Sequence, residues 1–241
     1  TYRQAKGWAS MIKEVVVDKR MPPWHADPNH GEFRNDRRLS DADIAAIVQW
    51  ADNGAPRGNP EDEPAPIDYN LDGWRIGGGT PDMIFTMPKP ETIPPTGVMP
   101  YVNIEIPTNF KEDKWIQEME AKAGNAKVVH HILIYARSPE EQQSGLGDFL
   151  RLGKGFLAGF APGTVANIEP KGLAYKIPAG ATIIFQMHYT PTGKEEVDQS
   201  SFGIVFADEP PTHEVLTATT VNFDFKIPAG DPNFRVEADA K

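Results

Sequence analysis

Two regimes of hydrophobic patterning divide the chain. Up to about residue 57 the apolar positions recur every three or four residues; beyond about residue 74 they alternate or bunch between prolines and glycines. In TYRQAKGWASMIKEVVVDKR, Trp8, Met11, Ile12, Val15 and Val16 fall on one stripe of a single helix. Met21-Pro22-Pro23-Trp24 stops it, because proline offers no amide donor and fixes φ. A second helix is expected over ADIAAIVQWADNG, with Ser40 as N-cap, Asp41 and Asp43 at its positive end and Gly54 as its stop.

Residues 58–73, rich in proline, predict a semi-rigid linker. The strands expected after it are Asp82 to Met87, Tyr101 to Ile106, Trp115 to Lys122, Val128 to Tyr135, Ala181 to Tyr189 and Phe202 to Phe206. Two more are expected around Val215 to Val221 and Phe234 to Ala238. Many short strands separated by turns predict a mainly β protein. The expected architecture is an antiparallel, jelly-roll-like β-sandwich over 74–210 behind a small N-terminal α-helical domain over 1–57. Residues 211–241 are expected to begin a second β-domain, cut short. The recurrence of KIPAG at 176–180 and 226–230 reads as a shared turn, not an internal duplication.

Composition narrows the function classes. A net charge of −10 with no lysine- or arginine-rich block argues against nucleic acid as a partner. No apolar run approaches ~20 residues, so no transmembrane helix is expected. Cysteine is absent, which excludes disulfides, thiolate metal sites and a cysteine nucleophile within these residues. The chain starts at Thr1 without an initiator methionine, and its end resembles a strand just beginning. It is therefore expected to be a processed or cut piece of something longer.

The six histidines carry the candidate chemistry. His130 and His131 interrupt the apolar strand KVVHHILIYAR, and His188 ends the strand in TIIFQMHYTPTGK. Imidazole is a common metal ligand, and three without thiolate suit copper or an open zinc site. Neighbouring residues of a strand face opposite ways, so both members of the pair can reach one ion only across a twist or bulge. The alternative is that the rings pack and hydrogen-bond without a metal. His213 is expected to be an ordinary surface residue.

VVHHILIY at 128–135 followed by IIFQMHYTPTGK at 183–194 resembles the N-terminal domain of the copper type II, ascorbate-dependent monooxygenases, the peptidylglycine α-hydroxylating and dopamine β type. The likeness spans about residues 80 to 241. It implies that His130, His131 and His188 hold the copper that receives electrons, and that a small molecule or peptide is the substrate. That family's second copper uses an H-x-H pair and a later methionine. No H-x-H occurs in this sequence, and the family's disulfides are missing too.

DKRMPPWHADP followed by RRLSDADIAAIVQWADNGAP resembles the later part of a class I cytochrome c domain. The likeness implies haem c as a second cofactor, with Met21 as axial ligand and His25 as a second candidate. The C-x-x-C-H attachment motif is absent from this sequence. The alternative is that Met21 and Trp24 pack and the two helices cap the β-domain. Bacterial proteins that join such modules place them in this order, which implies a periplasmic or extracellular redox protein fed by an electron donor or fused cytochrome. Two other functions stay open: a non-catalytic structural or binding sandwich, and a mononuclear zinc hydrolase. A loop between the histidine strands carries Phe149, Leu150, Phe156, Leu157 and Phe160, which either cover the metal site or pack.

Overall fold

The computed structural model describes residues 1–24, 26–27, 29–33, 36–63, 73–141, 155–164 and 166–239. The chain divides into two compact units, Thr1–Tyr69 and Asn70–Lys241.

The first unit is helical: α1 (Tyr2–Lys6), α2 (Ala9–Val17) and α3 (Asp41–Asp52). The single opening helix expected from the apolar stripe is broken at Gly7 and Trp8. Glycine weakens a helix interior by roughly 0.5–1 kcal/mol relative to alanine, and Trp8 there leaves helical geometry (φ −109°, ψ 7°). The stripe is only partly covered within the described residues, since Val16 is buried while Trp8 and Met11 are exposed. Ser40 caps α3 as expected: its hydroxyl accepts from the Asp43 amide at 3.1 Å, and the Asp43 carboxylate accepts from the Ser40 amide at 3.1 Å. Lys13 of α2 pairs with Asp52 of α3 at 2.6 Å, and the Tyr2 hydroxyl donates to the Ala55 carbonyl at 2.8 Å.

The second unit is an antiparallel β-sandwich. Its strands are β1 (Met83–Thr86), β2 (Glu91–Ile93), β3 (Val102–Pro107), β4 (Lys114–Lys122), β5 (Val129–Arg137) and β6 (Phe156–Phe160). They continue with β7 (Asn167–Ile168), β8 (Leu173–Ile177), β9 (Thr182–Tyr189), β10 (Glu196–Asp198), β11 (Ser201–Phe206) and β12 (His213–Glu214). One sheet has the order β1-β11-β4-β8-β12, with β7 also pairing β4; the other has the order β3-β9-β5-β6. A ribbon of β2 and β10 stands beside them. All pairs are antiparallel except β8–β12.

Both sheets turn apolar residues into one core. Ile116 and Met119 of β4, Phe202 and Ile204 of β11 and Ile177 of β8 meet Ile132 and Ile134 of β5 and Ile183, Phe185 and Met187 of β9. Each of these is fully buried, a contribution of about 1.5–3 kcal/mol per side chain. Leu157 and Phe160 join this core.

Two expected strands do not form. Around Val215–Val221 and Phe234–Ala238 the described backbone is irregular. Val221, Phe225 and Ile227 alternate with polar residues as a strand would, yet they are exposed. Alternation marks the faces of a strand, but a ladder also needs a partner with free backbone groups. Here the Asn222 side chain, not an amide ladder, reaches the Glu237 carbonyl at 2.7 Å.

Candidate metal centre

The paired histidines sit where β5 departs from regular pairing with β9. Val129 lies opposite Tyr189 and His131 lies opposite His188, so His130 is an extra residue with no counterpart on β9. This is a β-bulge, in which two residues of one strand face one of its partner. Its consequence follows from the core. Val129 and Ile132 are both buried in the core, at 2% and 0% exposure. In an unbroken strand those two residues would face opposite ways. The bulge lets both point inward and frees His130 and His131 to share the outer side.

The register then brings the third ring in. His131 and His188 are direct cross-strand partners, with ring centroids 4.9 Å apart. His130 Nδ1 lies 3.1 Å from His131 Nδ1 and 3.2 Å from His188 Nδ1. One ligand atom from each of the three falls within 4.8 Å of the others, so the group could hold a metal ion. Nitrogens 3.1–3.2 Å apart subtend about 100° at an ion bonded to both at ~2.05 Å. That angle lets His130 share one ion with either neighbouring ring.

His131 is held below its ordinary pKa, first by burial and then by the neighbouring His188 and His130. A depressed pKa keeps the ring neutral with a lone pair free to coordinate. Tyr101, just before β3, lays its ring against His188 at 4.8 Å with planes 31° apart, and against His131 at 5.7 Å. Its position follows from the pairing of Val102 with Met187, which carries the preceding residue to the level of His188. The sequence patterning did not single out Tyr101. Its only signal was an aromatic residue at the mouth of a strand.

The other candidates fall elsewhere. Met21 belongs to the first unit, where its exposed side chain lines an apolar groove of about 520 Å³ with Trp8, Met11, Ile12 and Val15. Trp24 packs edge-on against Phe33 at 5.6 Å. His25, Phe149 and Leu150 lie outside the described residues. His213 is exposed, with its Nδ1 3.0 Å from the Thr212 hydroxyl. Phe156 lines a cleft of about 670 Å³ together with Ala136. Ala136 is six residues along β5 from His130, about 20 Å at the rise of a strand, so this cleft is separate from the histidines.

Compared with known proteins, the chain matches no family model and no curated protein. Among the described residues no helix is long and apolar enough to cross a membrane.

Proposed function

We propose that the chain is a copper-binding redox module in which His130, His131 and His188 hold one copper ion, similar to the electron-transfer half of a copper type II monooxygenase. The observation that carries this reading is the bulge. It interrupts an otherwise regular ladder, and its visible effect is to put two adjacent imidazoles beside a third. Copper bound there would exchange a single electron between its two common oxidation states. The protein's part is to present three neutral nitrogens, which tolerate both charges of the ion. The Tyr101 ring lies tilted against His188, and burial favours the neutral form of His131.

The electron donor in this proposal is a cytochrome-like module. Met21 supports it as the exposed thioether of an apolar groove whose volume lies within the range of small-molecule sites. A thioether is a soft axial ligand that raises the potential of haem iron. A periplasmic or extracellular setting in a bacterium belongs to the same proposal. Oxygen activation is assigned to a second metal that these residues do not supply.

Titration of chelator-stripped protein with copper(II), in competition with zinc(II), tests the reading. Wild type is expected to take up one copper per chain and to prefer it to zinc, as the usual stability order dictates. His188→Ala is expected to lose tight binding. Equal uptake by wild type and His188→Ala would remove the proposal, and zinc held in preference to copper would replace it with a zinc site.

A further inference from the structure

A buried carboxylate stands behind the histidines. Asp198, at the end of β10, is 1% exposed. Its Oδ2 accepts from the Tyr189 hydroxyl at 3.0 Å and the Ser200 hydroxyl at 2.8 Å, and its Oδ1 accepts from the Asn125 amide at 2.7 Å. None of these donors carries a charge. An ion taken out of water is costly unless paired or richly hydrogen-bonded, so this site spends three charge-assisted bonds on keeping a carboxylate where a neutral residue would pack more cheaply.

Each bond leads to a metal-ligand strand. Tyr189 follows His188 in β9 and lies opposite Val129, at the inner edge of the bulge. The Asn125 carbonyl accepts from the amides of Val128 and Val129, forming the turn that delivers the chain into His130 and His131. Ser200, held by the same carboxylate, accepts from the Gly124 amide at 3.3 Å, and the Thr190 amide donates to the Val128 carbonyl at 2.8 Å.

We propose that Asp198 is the positioning residue of the metal centre, tying the His188 strand and the turn into the His130–His131 bulge to one buried carboxylate. The inference rests on the three histidines being a metal centre. Groups hydrogen-bonded directly to metal ligands set ring orientation, and losing one typically lowers metal affinity 10- to 100-fold; Asp198 touches no histidine and acts through the strand and turn that carry them, so its effect is expected below that range.

Asp198→Asn keeps the volume and the acceptor for two hydroxyls but presents an amide to the Asn125 amide. Copper(II) affinity of the full chain by chelator competition, and the EPR spectrum at one equivalent, are the readouts. Asp198→Asn is expected to bind copper several-fold more weakly, up to about 10-fold, with shifted EPR parameters. Tyr189→Phe should move both in the same direction by a smaller factor. Ile177→Ala, in the core at β8, should lower the thermal midpoint while affinity and spectrum stay at wild type, because it loosens the fold without touching the network. If Asp198→Asn does not fold, Tyr189→Phe decides. Wild-type affinity and spectrum in the deciding variant overturn the proposal and leave the centre standing. A wild-type protein that binds no copper overturns the centre and this inference together.

Discussion

Excision of His130 separates the two jobs that residue could have. With it removed, Val129 would precede His131 directly, and the pairs Val129–Tyr189 and His131–His188 would become successive rungs of a regular ladder. The alternation would be correct throughout, with Val129 and Ile132 inward and His131 outward. The deletion therefore leaves every core contact in place and removes one ordered backbone residue, whose fixing costs about 1–2 kcal/mol. The metal-free protein should be as stable as wild type or gain up to that amount, a rise of a few degrees for a unit of this size. Metal binding should suffer instead. A four-ligand zinc site is worth about 10–16 kcal/mol, or about 3–4 per ligand, so losing one imidazole should weaken binding by roughly 10²- to 10³-fold. Calorimetric melting in excess chelator, followed by copper titration, measures both quantities. A metal-free deletion variant that melts well below wild type would show the bulge to be demanded by the fold. Undiminished copper affinity would show that His130 is not a ligand.

Other perturbations test separate parts of the account. His131 sheds its proton more readily in the fold than in the unfolded chain, where its value is near the ordinary 6.5. The unfolded state thus binds more protons in that window, and metal-free stability should rise as pH climbs from below the folded value through 6.5. Melting from pH 5 to 8 should show this slope flattened in His131→Ala; an equal slope in both proteins refutes the assignment. Gly124→Ala would place a Cβ 2.4 Å from the Gln199 carbonyl oxygen and 2.7 Å from its carbon. Backbone cannot move as a flexible side chain does, so a loss of about 1–3 kcal/mol is expected by denaturant titration, and an unchanged midpoint would contradict it. Tyr101→Ala removes the ring tilted against His188, an interaction of about 0.5–1.5 kcal/mol. Copper affinity should fall a few-fold and recover in Tyr101→Phe; equal affinities across the three proteins would make the contact incidental.

How much the sequence disclosed depended on what each element needs from elsewhere. β4, β5, β9 and β11 were legible because β-branched and aromatic runs fit a sheet wherever they pair. β2, β7 and β10 were not, being two or three residues long with no period to detect. β6 hid its strand in FLAGF, where Gly159 and Ala158 dilute the signal. The tail beyond Val215 misled in the opposite sense: the Val215 amide still reaches the Ala174 carbonyl, but past it the alternation does not become a strand among the described residues. At the candidate metal site all three histidines were legible, but their shared side was not. The apolar-polar-polar-apolar run Val129-His130-His131-Ile132 was the written trace of the bulge, and only the register against β9 shows it as one. Asp198 left no trace, because a buried acid and a surface acid look alike in a sequence.

The most direct measurement is X-ray absorption at the copper edge on protein loaded with one equivalent of copper. Three imidazoles should fit the spectrum at about 2.0 Å, falling to two in His188→Ala. A wild-type spectrum dominated by oxygen scatterers, or unchanged by that substitution, would contradict the central claim that His130, His131 and His188 form one copper site.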